Sequence, residues 1–131
     1  MGDTGILISK IIYIKKNKNK NFVILDAAMN DLMRPALYGA KHQIIPSKKN
    51  KNITNKIFEF VGPICESTDK FLTTKKFQNI REGELIIICD VGAYGMSLSS
   101  NYNLRPKPIE ILIKGSKINI IKKRQKLIDL I

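Results

Sequence analysis

The chain has 131 residues, 44% of them hydrophobic, and carries a net charge of +12 from 23 basic and 11 acidic side chains. That is room for one domain with a real core, and no stretch approaches the roughly 18–20 apolar residues of a membrane-spanning helix. Lys, Asn and Ile are all over-used and share A/T-rich codons, so much of the basicity reads as codon composition rather than as a nucleic-acid footprint.

Residues 6–14 are β-branched and strongly apolar and are expected to form a buried strand. The polar run KKNKNKN at 15–21 signals a turn, a solvated loop rather than a binding patch. Residues 22–26 give a second strand, so the two form a hairpin. The segment MNDLMRPALY at 29–38 reads as a short helical turn in irregular backbone, with Asn30 or Asp31 as N-cap and Pro35 in the first turn. Residues 42–46 read as a brief strand, 47–56 as a second basic loop and 57–61 as a strand broken by Gly62-Pro63.

Beyond the break, residues 71–83 read mostly as loop, with a turn at Arg81-Glu82-Gly83-Glu84. The run LIIICD at 85–90 is continuously apolar, which predicts a strand covered on both faces. Residues 91–103 are too rich in Gly, Ser and Asn for a long regular element. Residues 108–113 and 117–122 flank Gly115-Ser116 and give the clearest β-hairpin signal in the chain. Residues 124–131 have helical spacing, with Leu127, Leu130 and Ile131 on one side. Short strands at regular spacing predict an all-β sandwich or Greek-key-like barrel, with helical turns near 30–38 and 124–131. No internal repeat or domain linker is visible, and residues 1–131 read as one β domain.

Three stretches carry the chemistry: 29–38, VGPICE at 61–66, and DVGAYGMSLSSNYN at 90–103. Each follows a β-like run, where a side chain is held by a rigid sheet yet can face a cavity. A neighbouring Glu66 disfavours the thiolate of Cys65, and no His lies nearby in sequence. The pair therefore suits a protonated thiol that donates a proton better than a nucleophile. Taken alone, Cys65 reads first as a small buried hydrophobe. Arg34 and Tyr38, four apart, would share a face of a helical turn and could grip one carboxylate. The plain alternative is an Arg at a helix end and a half-buried Tyr. Tyr94 has small neighbours, Ala93 and Gly95, that let a ligand approach; alone it reads as core. The single His42 reads as structural. No metal-ligand spacing, phosphate loop or Ser/His/Asp arrangement is visible. Cys65 and Cys89 are expected to be free thiols in a reducing cytoplasm, and no signal peptide is recognised.

The motifs MNDLxRPALY, GPxCES and GAYGxSxSSNYNxRP, in this order and spacing, closely resemble the C-terminal part of the diaminopimelate decarboxylase family. The likeness extends over residues 4–131, including the tail KKRQKLIDLI. Glu66 after Cys65 separates it from ornithine and arginine decarboxylases, whose motif resembles Cys-Asp. The resemblance implies a pyridoxal-phosphate (PLP) dependent enzyme of the alanine-racemase-like fold group. Such an enzyme joins a (β/α)8 barrel carrying PLP to a C-terminal β domain. It acts as a homodimer that converts meso-2,6-diaminopimelate to L-lysine and CO2.

By motif position the resemblance implies a role for each candidate. Arg34 and Tyr38 match residues that bind the far amino-acid end of the substrate. Cys65 matches the proton donor, contributed across the dimer interface, and Glu66 the group facing the substrate ammonium. Tyr94 matches the residue that reaches the PLP phosphate and the substrate. The barrel, with its Schiff-base Lys, its ring-stacking His and a further Arg in a Glu-Pro-Gly-Arg segment, has no counterpart in these residues. The chain is therefore expected to be a fragment, a split enzyme's second half or a dimerisation partner, poorly soluble and inactive alone. A basic β-barrel binding nucleic acid is the reading from a different class, but Phe and Tyr are not interleaved with the Lys loops as stacking requires.

Overall fold

The computed structural model describes residues 2–131. Among the described residues ten strands form: β1 (Leu7–Lys16), β2 (Lys20–Leu25), β3 (Ile44–Pro46), β4 (Ile53–Thr54), β5 (Ile57–Val61), β6 (Lys70–Thr74), β7 (Phe77–Gln78), β8 (Leu85–Ile88), β9 (Glu110–Lys114) and β10 (Lys117–Lys122). One short helix, α1, spans Arg34–Tyr38, and 3₁₀ turns occur at Gly2–Thr4, Tyr102–Leu104 and Leu127–Leu130. Six strands make the main sheet in the order β3-β8-β1-β2-β5-β6; β9 with β10 and β4 with β7 form separate two-stranded ribbons. The all-β expectation holds, as a curled half-barrel rather than a closed barrel. Among the described residues no helix is long and apolar enough to cross a membrane.

Strand alternation builds the core. Val23 and Leu25 of β2, Phe58 and Phe60 of β5, and Ile86 and Ile88 of β8 point inward, with Leu32, Ile44, Phe71, Phe77 and Ile80 packed among them. Phe77 meets Phe60 edge-on at a centroid distance of 5.0 Å, a favoured aromatic geometry. In β1 the inward positions run Ser9, Ile11, then Ile14. The shift from odd to even coincides with a register irregularity against β2 between Ile11 and Tyr13. A bulge of this kind turns the following side chains to the opposite face, which is why Tyr13 lies outside and Ile14 inside.

Several expectations are corrected. β1 is buried on one face only: Ile6, Ile8, Ile12 and Tyr13 are each more than half exposed. It runs on through Lys16 because β2 pairs Lys15 with Phe22 and Lys16 with Asn21, leaving a tip of residues 17–19. β8 is likewise not covered on both faces; Leu85 is exposed while Ile86 and Ile88 are fully buried. The stretch 71–83 is mostly loop as expected, but it also carries most of β6, paired with β5, and all of β7, paired with β4 inside the second basic loop. Neither Asn30 nor Asp31 caps α1. Its N-cap is Met33, with no side-chain cap, and Pro35 does sit in the first turn. The C-terminal residues do form a helical turn as expected, a 3₁₀ turn at Leu127–Leu130 with Leu127 and Ile128 exposed. The β9–β10 hairpin forms around Gly115-Ser116 as expected. His42 is structural: it is buried, and its Nδ1–H donates to the Cys89 carbonyl at 2.9 Å.

Strand direction places the three motif stretches. β5 runs parallel to β2, and β1 is antiparallel to both β2 and β8. The C-terminal ends of β2, β5 and β8 therefore share one edge of the sheet. The loops 26–38, 62–69 and 89–105 all leave from that edge. The Lys-rich tip between β1 and β2, Lys56 before β5, Lys75 and Lys76 after β6, and Lys48 and Lys49 after β3 lie toward the opposite edge by the same pairing.

Candidate active-site edge

Backbone geometry and buried polar groups join the three loops. Asp69, almost fully buried, accepts the N–H of Met29 on Oδ1 at 2.7 Å and the N–H of Ile64 on Oδ2 at 2.8 Å. It thereby fastens the loop after β5 to the loop after β2. Gly62 is required beside it, because a Cβ there would lie 2.2 Å from Asp69 Oδ2. Burial pushes the Asp69 carboxyl above the ordinary carboxylate range, against the two backbone donors that pull it down. Asn30, fully buried, donates from Nδ2 to the Ser100 carbonyl at 3.3 Å and accepts from Arg105 Nε at 2.9 Å. Arg105 also donates to the Asp26 carbonyl and lies 3.9 Å from Asp31 Oδ2. These contacts fix the loop after β8 to the loop after β2.

The third loop is also where the backbone is strained. The non-glycine residues with positive φ among the described ones are Asp90, Tyr94, Asn103 and Leu104, and all four fall in it. Such conformations persist only where surrounding contacts enforce them, and they cluster at ligand-binding segments. Gly5 allows this loop to approach the start of β1: an added Cβ would meet Gly92 backbone atoms at 2.5 Å.

The candidate residues can now be located. Cys65 and Glu66 are both exposed on the loop after β5, so Cys65 is not the buried hydrophobe its residue type alone suggests. Glu66 accepts the Tyr102 hydroxyl on Oε1 and the Thr68 hydroxyl on Oε2 at 3.4 Å. Arg34 and Tyr38 occupy the first and last positions of α1; Arg34 is half-buried and Tyr38 is 66% exposed. Tyr94 is also 66% exposed and is not core. Cys65 and Glu66 share one loop, Arg34 and Tyr38 one helix. No hydrogen bond or ion pair among the described residues joins these two pairs or Tyr94 to one another. Cys89 is a free, half-buried thiol at the end of β8.

Sequence reasoning missed Asn30 as a core amide, Asp69, Tyr102 and Arg105. Asp69, Tyr102 and Arg105 stand inside or just beyond the quoted motifs. The signal that could have found them is polar residues at fixed places in apolar loop neighbourhoods. Each has a partner 36–79 positions away, which no local pattern reveals.

A curled β sheet with three braced loops at one edge, presenting a thiol, carboxylate, guanidinium and phenols, defines a β-sheet domain whose polar groups gather on an open edge. The chain belongs to the family of pyridoxal-dependent decarboxylases, whose C-terminal sheet domain matches residues 3–92. Its relatives include diaminopimelate decarboxylases of Helicobacter pylori, 45% identical over 99% of this chain and 32% of that protein, and of Aquifex aeolicus, 39% identical over 95% and 30%. Among solved structures it superposes on diaminopimelate decarboxylase from H. pylori complexed with L-lysine, with TM-score 0.89 and 45% identity, covering 98% of this chain and 31% of that one. The M. jannaschii enzyme in co-complex with L-lysine gives TM-score 0.92 and 36% identity over 98% and 29%. The chain thus spans about a third of the length of the relatives it matches.

PLP is the cofactor that this family implies. The residues described here suit one side of it: Tyr94, exposed and flanked by Ala93 and Gly95, offers a hydroxyl with open approach for a phosphate. They do not suit the covalent side. Every lysine is exposed or half-buried, and half-buried Lys20 is paired with Glu59, so none stands in the enclosed setting a Schiff-base anchor needs.

Proposed function

We propose that this chain supplies the C-terminal half-site of a PLP-dependent decarboxylase acting on meso-2,6-diaminopimelate and yielding L-lysine and CO2. The observation that carries the reading is the gathering of all three motif loops at one sheet edge, with Cys65, Glu66, Tyr38 and Tyr94 exposed there. Bound PLP supplies the electron sink for loss of CO2. The chain's own groups bind, orient and protonate. Arg34 and Tyr38 clamp the far carboxylate, the guanidinium by its fork and the phenol by one hydrogen bond. Glu66 faces a substrate ammonium. Cys65, a thiol beside that carboxylate, delivers the proton that replaces the lost carboxylate. Tyr94 reaches the cofactor phosphate.

The partner in this reading is a PLP-carrying barrel, in a two-fold assembly that brings Cys65 and Glu66 to the neighbouring site. The exposed apolar face supports it: Ile6 just before β1, Ile8, Ile12 and Tyr13 on β1, and Ile113 and Ile118 on the hairpin, are more than half exposed, more than a solvated surface usually carries in one place. The compartment is the cytoplasm, consistent with two free thiols.

The test is a chimera in which residues 2–131 replace the C-terminal third of the H. pylori enzyme. Lysine formation from diaminopimelate is expected, with Cys65→Ala lowering kcat by roughly 10²–10⁴-fold. A dimeric, PLP-loaded chimera that forms no lysine would overturn the proposal.

A further inference from the structure

We infer that Tyr102 is a positioning residue for Glu66: its hydroxyl holds the exposed carboxylate in the pose from which it meets a substrate ammonium. The inference rests on the role proposed above for Glu66. An exposed Glu samples many rotamers and loses that freedom at an entropic cost whenever it must act from one place. Here both carboxylate oxygens have hydroxyl partners, Tyr102 on Oε1 and the more distant Thr68 on Oε2. Thr68 is only two residues away on the same loop, whereas Tyr102 comes from the loop after β8, so Tyr102 is the partner that ties Glu66 to a second loop.

The identity of the partner matters as much as the contact. Glu59, elsewhere on the sheet, is held between Lys20 and Lys70, and its charge is neutralised. Glu66 has no cationic partner among the described residues. A phenol orients the carboxylate without cancelling its charge, which leaves it able to take a cation from a ligand. A Lys or Arg in the same place would compete with the substrate.

The turn that carries Tyr102 is built for placement. Asn103 and Leu104 follow it with φ of 57° and 53°, conformations that a bulky residue such as Leu adopts only under constraint. The constraint is visible. Asn101 Nδ2 donates to the Arg105 carbonyl at 2.9 Å and to Gln125 Oε1 at 2.7 Å, and Tyr102 N–H donates to Ser100 Oγ at 3.3 Å. A braced, strained turn that presents an exposed phenol to one carboxylate is accounted for if the phenol has work to do there. Because Tyr102 and Glu66 belong to the same chain, the phenol accompanies Cys65 and Glu66 into whichever site they serve. The hydrogen bond to Glu66 and its charge hold the Tyr102 phenol above its ordinary ionisation range, in accord with the geometry.

The test uses the full chain at neutral pH, labelled for carbon NMR, with no cofactor or substrate. Glu66→Gln is expected to move the Tyr102 Cζ resonance and leave those of Tyr13, Tyr38 and Tyr94 in place. Tyr102→Phe is expected to move the Glu66 Cδ resonance. Both substitutions are at exposed positions, and an unchanged far-ultraviolet circular dichroism spectrum checks the fold. In the active chimera, Tyr102→Phe should raise KM for diaminopimelate roughly threefold or more while kcat changes less. Unmoved resonances, or an equal fall in kcat with KM unchanged, would overturn the inference. An inactive chimera with the resonance shifts present would overturn only the assigned reaction.

Discussion

Asp69 and Met29 are 40 residues apart, yet the Asp69 carboxylate accepts the Met29 backbone N–H at 2.7 Å while its other oxygen accepts Ile64 N–H at 2.8 Å. Two motif loops are therefore fastened through one buried acid. Asp69→Asn keeps the shape but turns an N–H₂ toward one of the two donors. A loss of about 2 kcal/mol is expected, read as a lower urea midpoint at unchanged m-value. The pH dependence has a definite sign. Because burial raises the folded-state carboxyl above 3.8, the native state binds more protons than the unfolded one between those values. The ionisation-linked part of the Asp69 contribution is largest below pH 3.8 and is lost as pH rises through the raised folded value, leaving the hydrogen-bond part. The stability difference between wild type and Asp69→Asn should therefore shrink over that acidic window.

Gly62 gives a second check on the same latch. Its backbone faces the Asp69 carboxylate so closely that an added methyl would lie 2.2–2.3 Å from both oxygens. Those oxygens cannot withdraw without releasing Met29 and Ile64. Gly62→Ala should destabilise the chain by about 1–3 kcal/mol, and its effect should be much less than additive with Asp69→Asn, since both act on one contact. Urea unfolding of the two single variants and the double variant measures this directly.

What could be read from the sequence follows from how local each cause is. β5 has the bounds expected for it, 57–61, because Lys56 precedes an apolar run and Gly62-Pro63 ends it. The β9–β10 hairpin was legible from Gly115-Ser116. β6 was not: Lys-Phe-Leu-Thr-Thr has little period of its own and is a strand because β5 pairs with it. The bulge in β1 was invisible for the same reason, since only the partner strand defines the register. The parallel pairing of β2 with β5, which brings the motif loops to one edge, depends on a connection of some thirty residues and has no local signature. Cys65, Glu66, Arg34, Tyr38 and Tyr94 stood out as motif residues. Asp69 and Arg105 did not, because their meaning lies in contacts with distant backbone.

The core makes the next prediction. Phe60 is fully buried and packs edge-on against Phe77 at 5.0 Å. Phe60→Ala removes the ring from the centre of β5 and leaves a cavity between β2 and β6. A loss of about 3–5 kcal/mol is expected, enough to unfold a marginal domain. Phe60→Leu should retain most of the stability, and thermal melts of the pair separate ring volume from general apolarity.

Glu59 behaves oppositely to Asp69. Desolvation pushes its carboxyl up, but the hydrogen bond to Lys20 and the charges of Lys70 and Lys20 outweigh this and hold it below 4.5. A depressed acid contributes stability above its unfolded value and loses it as pH falls through the folded value. Glu59→Gln should therefore cost stability near neutral pH and nothing in strong acid. The cost should be below about 1 kcal/mol because the lysines are partly exposed, and it should fade in high salt. Denaturation at two pH values and two salt concentrations checks both signs.

The two thiols should separate kinetically. Cys65 is exposed on a loop, whereas Cys89 is half-buried, with its N–H bonded to the Gln43 carbonyl at 2.8 Å and its carbonyl bonded to His42. A disulfide reagent needs a clear path to sulfur, so the difference in access is expected to set the order of reaction. Titration of the folded chain should show two phases, with the fast one at least roughly tenfold quicker. Cys65→Ser should abolish the fast phase and leave the slow one; Cys89→Ser should do the reverse. In denaturant the phases should merge, because unfolding removes the difference in access. A proton donor must reach its acceptor, so a Cys65 that reacted no faster than Cys89 would count against its proposed role as well as against its place on the loop.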